Sequence, residues 1–205
     1  MVRAPGKSTL QGRDLDGNAS TFEAYDDTTL DITWLADANF AMTSGADADG
    51  RMTWAEANAW ADSLTLGGYT DWRLPTNTPI NGTSYQTNFT TNATSDWGFA
   101  DSAGWVDGTG NPVSEMGHMF YVTLGNLGFC PPDGGDGNSA TCDNAGSTAW
   151  GLTNTGPFSN VQASLYWSGS VLGSSSAWRF LFNSGGQNGN GEVSNLFAWA
   201  VRSGG

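Results

Sequence analysis

Two segments of this chain carry carboxylates at a spacing suited to a hard cation. Gly12 to Glu23 reads GRDLDGNASTFE, and Gly45 to Glu56 reads GADADGRMTWAE. Both fit G-x-D-x-D-G-x5-E, which repeats positions 3, 5, 6 and 12 of a calcium loop. Asp14, Asp16 and Glu23 form one candidate ligand set; Asp47, Asp49 and Glu56 form the other. Asp at alternating positions aims two carboxylates into one concavity, which suits an ion that takes roughly six to eight oxygens. Two features depart from that pattern. Gly stands at the first position of both loops, where a coordinating Asp is expected, and no helix is read ahead of either. The same residues also make an ordinary Asp-Gly turn. The second loop is the better placed, because Glu56 falls at a helix start. A bound Ca2+ would be structural, stapling a loop-rich fold.

Other reactive side chains are few. His118 is the single histidine and sits among Met116, Met119 and Glu115, a setting for a packed imidazole more than for a general base. No nucleophile elbow accompanies it, since WSGS is not G-x-S-x-G. The chain also lacks a Cys/His metal cluster, a phosphate loop and a dinucleotide fingerprint. No spacing nominates a carboxylate pair for glycoside chemistry. The expectation is that the protein is not an enzyme. Cys130 and Cys142 bracket a Gly/Asp/Pro-rich loop, and a disulfide is expected between them, worth ~3 kcal/mol by loop closure. Arg73 in DWRLPT and Arg202 in WAVR are expected to hold loops through bidentate pairs with Asp.

Composition narrows the partners. The 205 residues carry a net charge of −13, with seven Lys plus Arg and no Lys after Lys7. Such a chain cannot neutralise phosphates, so nucleic acid is excluded as a partner, and anionic lipid would repel it. No stretch reaches 18 apolar residues, so no membrane insertion is expected, and no signal peptide is read at MVRAPGKS. Charged residues are 13 % of the chain, whereas Gly reaches 29 residues and Trp ten. That mixture builds strands and turns around an aromatic core.

Residues 1–12 read as a flexible tail and 13–205 as a single α+β domain with long loops. Thr21 to Leu35 alternates around Phe22, Leu30, Ile32 and Trp34, which predicts a strand pair. Trp54, Ala57, Trp60, Ala61 and Leu64 recur at helical steps, so a helix is predicted over 53–65, with Thr53 and Glu56 as a capping box. A second helix is predicted over 114–127, started by Ser114. Residues 165–202 read as three short strands: LYWSGSV, AWRFLFN and FAWAVR. In AWRFLFN the period of two puts Trp178, Phe180 and Phe182 on the core face and Arg179, Leu181 and Asn183 outward. The neighbouring stretch is rich in Asn, Gly and Ser, adaptable hydrogen-bonding residues of the paratope kind.

GGYTDWRLPT, preceded by MTWAEANAWADSL and followed by YWSGS, AWRFLF and AWAVR, resembles the C-terminal domain of the Legionella collagen-like protein, a bacterial family of secreted and surface proteins. GRDLDGN, LDITWLADANF, EMGHMFYVTLGNLG and NTGPFSNVQ resemble extracellular proteins of the kind that often end in a PEP-CTERM sorting signal. The likeness spans about residues 10–202. It implies a C-type-lectin-like fold, with the two main helices set around small antiparallel sheets. The tail is also similar to the variable region of target proteins of diversity-generating retroelements, which implies a displayed and diversified C-terminal face.

These lines converge on a secreted or surface-displayed adhesion and recognition module that takes a protein or glycan ligand on another cell or surface. Its expected contact residues are Val171, Leu172, Ser174, Ser175, Arg179, Leu181, Asn183, Gln187, Asn188, Asn190, Glu192, Asn195 and Phe197. One alternative is a structural subunit of an extracellular matrix or filament, with oligomers made through the same face. The other is an enzyme of the formylglycine-generating type, which shares the implied fold but needs a catalytic Cys pair or copper site. Cys130 and Cys142, in a hydrophilic loop without the supporting motif, do not supply it.

Overall fold

The computed structural model describes residues 10–18, 20–130, 142 and 149–204. In chain order the strands before the long loops are β1 (Leu10–Arg13), β2 (Ala24–Asp27), β3 (Ile32–Leu35), β4 (Arg51–Met52), β5 (Phe89–Thr90) and β6 (Trp97–Gly98). Those after them are β7 (Leu165–Gly173), β8 (Ser176–Leu181), β9 (Gly186–Gly191), β10 (Leu196–Phe197) and β11 (Val201–Ser203). Three short helices, α1 (Phe40–Thr43), α2 (Trp54–Ser63) and α3 (Glu115–His118), complete the regular structure, with a π-helical turn at Met119–Thr123. One sheet runs β1-β2-β3-β11 and the other β4-β10-β7-β8-β9-β6-β5. The described residues therefore form a mainly β architecture of four-stranded and seven-stranded sheets. This corrects the expected α+β, C-type-lectin-like fold with two main helices.

The first of those helices is present as α2. Thr53 Oγ1 accepts the Glu56 N–H at 3.4 Å while Glu56 Oε2 accepts the Thr53 N–H at 2.9 Å, so the capping box closes as the residues require. The second, expected over 114–127, stops after a single turn. Ser114 Oγ caps α3 by accepting the Gly117 N–H at 3.0 Å. Beyond it the chain widens, and the Leu124 N–H reaches back to the Met119 carbonyl at 2.9 Å. Both sheets pack against this stretch. Phe120 packs against Phe180 and Phe182 of the larger sheet, and Thr123 Oγ1 donates to Asp27 Oδ2 of the smaller one at 2.6 Å. An amphipathic helix has one solvent face, and Met116 to Tyr121 have none. Gly117 is required here, because a Cβ would lie 2.8 Å from both Ser114 Oγ and the Trp105 ring.

Thr21 to Leu35 supplies β2 and β3, in antiparallel register from Ala24↔Leu35 to Asp27↔Ile32. The expected tail is shorter than 1–12, since Leu10–Arg13 pairs with β2 as β1; residues 1–9 lie outside the described residues. A single helical turn, α1, also precedes the second acidic loop, where no helix was expected. The core joins both sheets through aromatic rings. Phe182 stands 5.1 Å from Tyr166, 5.1 Å from Phe180, 5.8 Å from Phe120 and 5.9 Å from Trp199, and Trp199 lies 4.8 Å from Trp34. Arg73 makes the bidentate pair expected of it, with Glu115 and not with an Asp, at 2.7 and 2.8 Å. Arg202 donates to Asp71 at 2.9 Å and lies over the Tyr69 ring. Cys130 and Cys142 are disulfide-bonded; most of the loop they close lies outside the described residues.

Candidate functional site

The tail holds five strands where the sequence predicts three, because FAWAVR divides between β10 and β11 of different sheets and a further strand stands before it. GQNGNG, expected as a loop, is β9, paired along all of β8 from Ser176↔Gly191 to Leu181↔Gly186. Its Gly and Asn have little intrinsic strand preference, so the ladder with β8 and the packing above it decide the conformation. Gly189 is where that packing shows, since a Cβ there would come within 2.3 Å of Leu172 and 3.3 Å of Trp97.

The pairing sorts the expected contact residues by face. Tyr166, Phe180 and Gln187 share one side, and Trp167, Arg179 and Asn188 share the other. Gln187 is therefore a core residue and not a ligand contact. Its Oε1 accepts from Ser114 Oγ at 2.6 Å and its Nε2 donates to the Asp96 carbonyl at 2.9 Å. Leu172 is half-buried over Gly189 and Trp97. Val171 (50 % exposed), Arg179, Leu181, Asn188 and Asn190 remain together on the outer face, in rows set by Val171↔Ala177↔Asn190 and Trp167↔Arg179↔Asn188. Ser174, Ser175 and Glu192 gather at one end of β8, where the Glu192 N–H donates to the Ser175 carbonyl at 3.1 Å. Asn183 is exposed beyond the other end. Asn195 is exposed and Phe197 half-buried on the β10 side, where the Arg51 guanidinium lies 5.3 Å from the Phe197 ring.

Arg179 stands out electrostatically. Of the five described arginines, Arg13, Arg73 and Arg202 pair with Asp26, Glu115 and Asp71. Arg51 and Arg179 have no carboxylate partner among the described residues, and of the two Arg51 is exposed whereas Arg179 is half-buried. Its Nε donates to Asn188 Oδ1 at 2.7 Å, and burial lowers its affinity for its proton. A half-buried guanidinium steadied through Nε presents its two terminal nitrogens to whatever lies on the outer face.

The two acidic loops behave differently. Asp14, Asp16 and Glu23 bring one carboxylate oxygen each within 4.8 Å of one another. Backbone amides set that shape, because Asp14 accepts from Gly17 at 2.7 Å, Asp16 from Asn18 at 2.8 Å and Glu23 from Leu15 at 2.8 Å. A three-carboxylate donor set of this kind fits calcium. Asp47, Asp49 and Glu56 do not converge in that way among the described residues. Asp47 Oδ1 accepts the N–H groups of Asp49, Gly50 and Arg51, and Glu56 is committed to the capping box. Amide donation holds Asp47 below the usual carboxylate range, and the Thr53 hydroxyl does the same for Glu56.

Sequence reasoning did not find β9, the stacking of Arg51 on Phe197, or a cleft beside Asp47 and Glu56. Glu56, Ala59, Trp60 and Ser63 follow the helical steps that could have shown the cleft wall. Comparison with family models, with curated proteins and with solved structures returns no match. Among the described residues no helix is long and apolar enough to cross a membrane.

Proposed function

We propose that this chain is an extracellular or surface-displayed recognition module that binds a protein or glycan on the outer face of β7, β8 and β9. The observation that supports it most is Arg179, a half-buried cation without a carboxylate partner among the described residues, in a chain of net charge −13. Leu181 and Val171 add apolar contact beside it, and Asn188 and Asn190 add adaptable hydrogen bonding. The Cys130–Cys142 disulfide suits an oxidising compartment. Arg179→Ala is expected to weaken capture of the ligand by about tenfold or more, as loss of an interface arginine does. A glycan array and a displayed protein library, probed with the wild type, with Arg179→Ala and with Met42→Ala as a remote exposed control, measure this. Equal capture by all three would sink the proposal.

Calcium enters the same proposal as a structural ion held by Asp14, Asp16 and Glu23. It would tie β1 to β2 across the turn between them. Free calcium at about a hundred times its Kd would stabilise the fold by about 2.7 kcal/mol, and a chelator would remove that stabilisation. The expected fall in Tm is about 5–10 °C for a chain of this size. The Asp14→Asn/Asp16→Asn double variant should melt alike with and without calcium. A wild-type Tm that chelation leaves unchanged removes calcium from the account.

A further inference from the structure

We infer that the β7–β9 face recognises a carboxylate, the side chain of a glutamate or aspartate on a partner protein, gripped by the two terminal nitrogens of Arg179. The inference rests on the recognition reading above and adds the chemistry of the ligand. Side chains on this face stand in rows across the three strands. The central row is Trp167↔Arg179↔Asn188, bordered by Leu165↔Leu181↔Gly186 on one side and Val171↔Ala177↔Asn190 on the other. Rows two residues apart along a strand lie about 7 Å from one another. Among the described residues Arg179 is the only cation in these rows, and it stands between half-buried Leu181 and exposed Val171.

The guanidinium is oriented but not neutralised. Its Nε donates to Asn188 Oδ1 at 2.7 Å, which steadies the plane of the fork. Neither terminal nitrogen has a hydrogen-bond partner among the described residues, and neither is sealed from solvent. Arg13 and Arg73 gain proton affinity through their hydrogen bonds to Asp26 and Glu115. Burial lowers that of Arg179, and no described acid offsets the loss. A half-buried cation is costly to leave uncompensated, so this face favours an incoming negative charge.

A carboxylate on a protein matches this chemistry at each point. The planar fork meets both oxygens of one carboxylate in parallel hydrogen bonds, about twice as strong as neutral ones. Val171 and Leu181 suit apolar side chains on either side of the acid, because alternate residues of an extended segment also stand about 7 Å apart. The one aromatic residue in these rows, Trp167, is fully buried, so no ring is available there to stack on a sugar. The net charge of −13 opposes the approach of an anion. At physiological ionic strength, however, exposed charges more than about 8 Å apart are largely screened, and Arg179 governs the contact.

The test follows the backbone amide resonances of β8 and β9 while the full chain is titrated with acetyl-Leu-Ser-Glu-Ser-Leu-amide at about 0.15 M salt. A saturable shift is expected, with affinity falling about tenfold or more for the same peptide carrying Gln in place of Glu. Arg179→Lys keeps the charge and loses the fork, and should weaken binding of the Glu peptide by about tenfold. Asn188→Asp gives Arg179 an internal carboxylate of the same shape, and should abolish binding while the rest of the spectrum stays folded. Equal affinities for the two peptides, no shift from either, or undiminished binding by folded Asn188→Asp would overturn the inference. Free glucuronate that binds the same resonances more tightly than the Glu peptide would overturn the assignment to a protein. The recognition reading is judged separately by the array and library screen, where capture of a neutral ligand that still depends on Arg179 would remove the carboxylate alone.

Discussion

Replacing Phe182 by alanine is expected to cost about 3–5 kcal/mol, the usual toll for emptying an aromatic position in a closed core. The ring is fully buried and meets Tyr166, Phe180, Phe120 and Trp199, so its loss opens a cavity bordered by the larger sheet, the π-helical turn and the link between β10 and β11. Large aromatic neighbours cannot easily collapse into that space, which places the effect toward the upper part of the range. Denaturant unfolding of Phe182→Ala beside Val193→Ala makes the comparison, because Val193 is 87 % exposed and its truncation should change stability by less than about 0.5 kcal/mol. Similar midpoints for the two variants would contradict the packing described for Phe182, just past the end of β8.

Acid is expected to destabilise the protein through His118. The imidazole is 4 % exposed, and neither ring nitrogen has a hydrogen-bond partner among the described residues. Burial is the larger influence and pushes its pKa below the ordinary histidine value, while the charge of Asp27 on β2 pulls it back up. The unfolded chain thus takes up this proton first, at about pH 6.5. Stability from the neutral imidazole is fully present above that pH and is lost as pH falls through 6.5 toward the folded value. Urea midpoints of the wild type should drop between pH 7.5 and 5.5 more than those of His118→Leu, which removes the titrating group and keeps an apolar side chain. Parallel pH profiles would show that other groups govern acid unfolding.

What was legible in the sequence was what local chemistry decides. Thr53 and Glu56 specify the start of α2 by themselves, and the alternation of Trp178, Phe180 and Phe182 specifies the inner face of β8. β9 was not legible, because a run of Gly and Asn becomes a strand only when β8 supplies the ladder. Gln187 was misassigned for the same reason, since a strand's period of two applies only once the strand is recognised. The segment after Ser114 has helical spacing, and nothing in that spacing marks the change from α to π hydrogen bonding after His118. The acidic loops share one spacing and part in structure. Asp14, Asp16 and Glu23 bring one oxygen each within 4.8 Å of one another, and the three acids of the second loop do not gather in that way among the described residues.

The order in which the sheets close bears on how the chain is made. β11 completes the smaller sheet by pairing with β3, and β10 joins β4 to β7 in the larger one. Thr33 even donates its hydroxyl to the carbonyl of Gly204, 171 positions away. A nascent chain that has emerged only as far as β9 still presents the open margins of β3 and β4. Such margins are templates for pairing with neighbouring chains, and contacts this distant in sequence form slowly. Synthesis therefore passes through a long interval of vulnerability that ends only when β10 and β11 are free to dock.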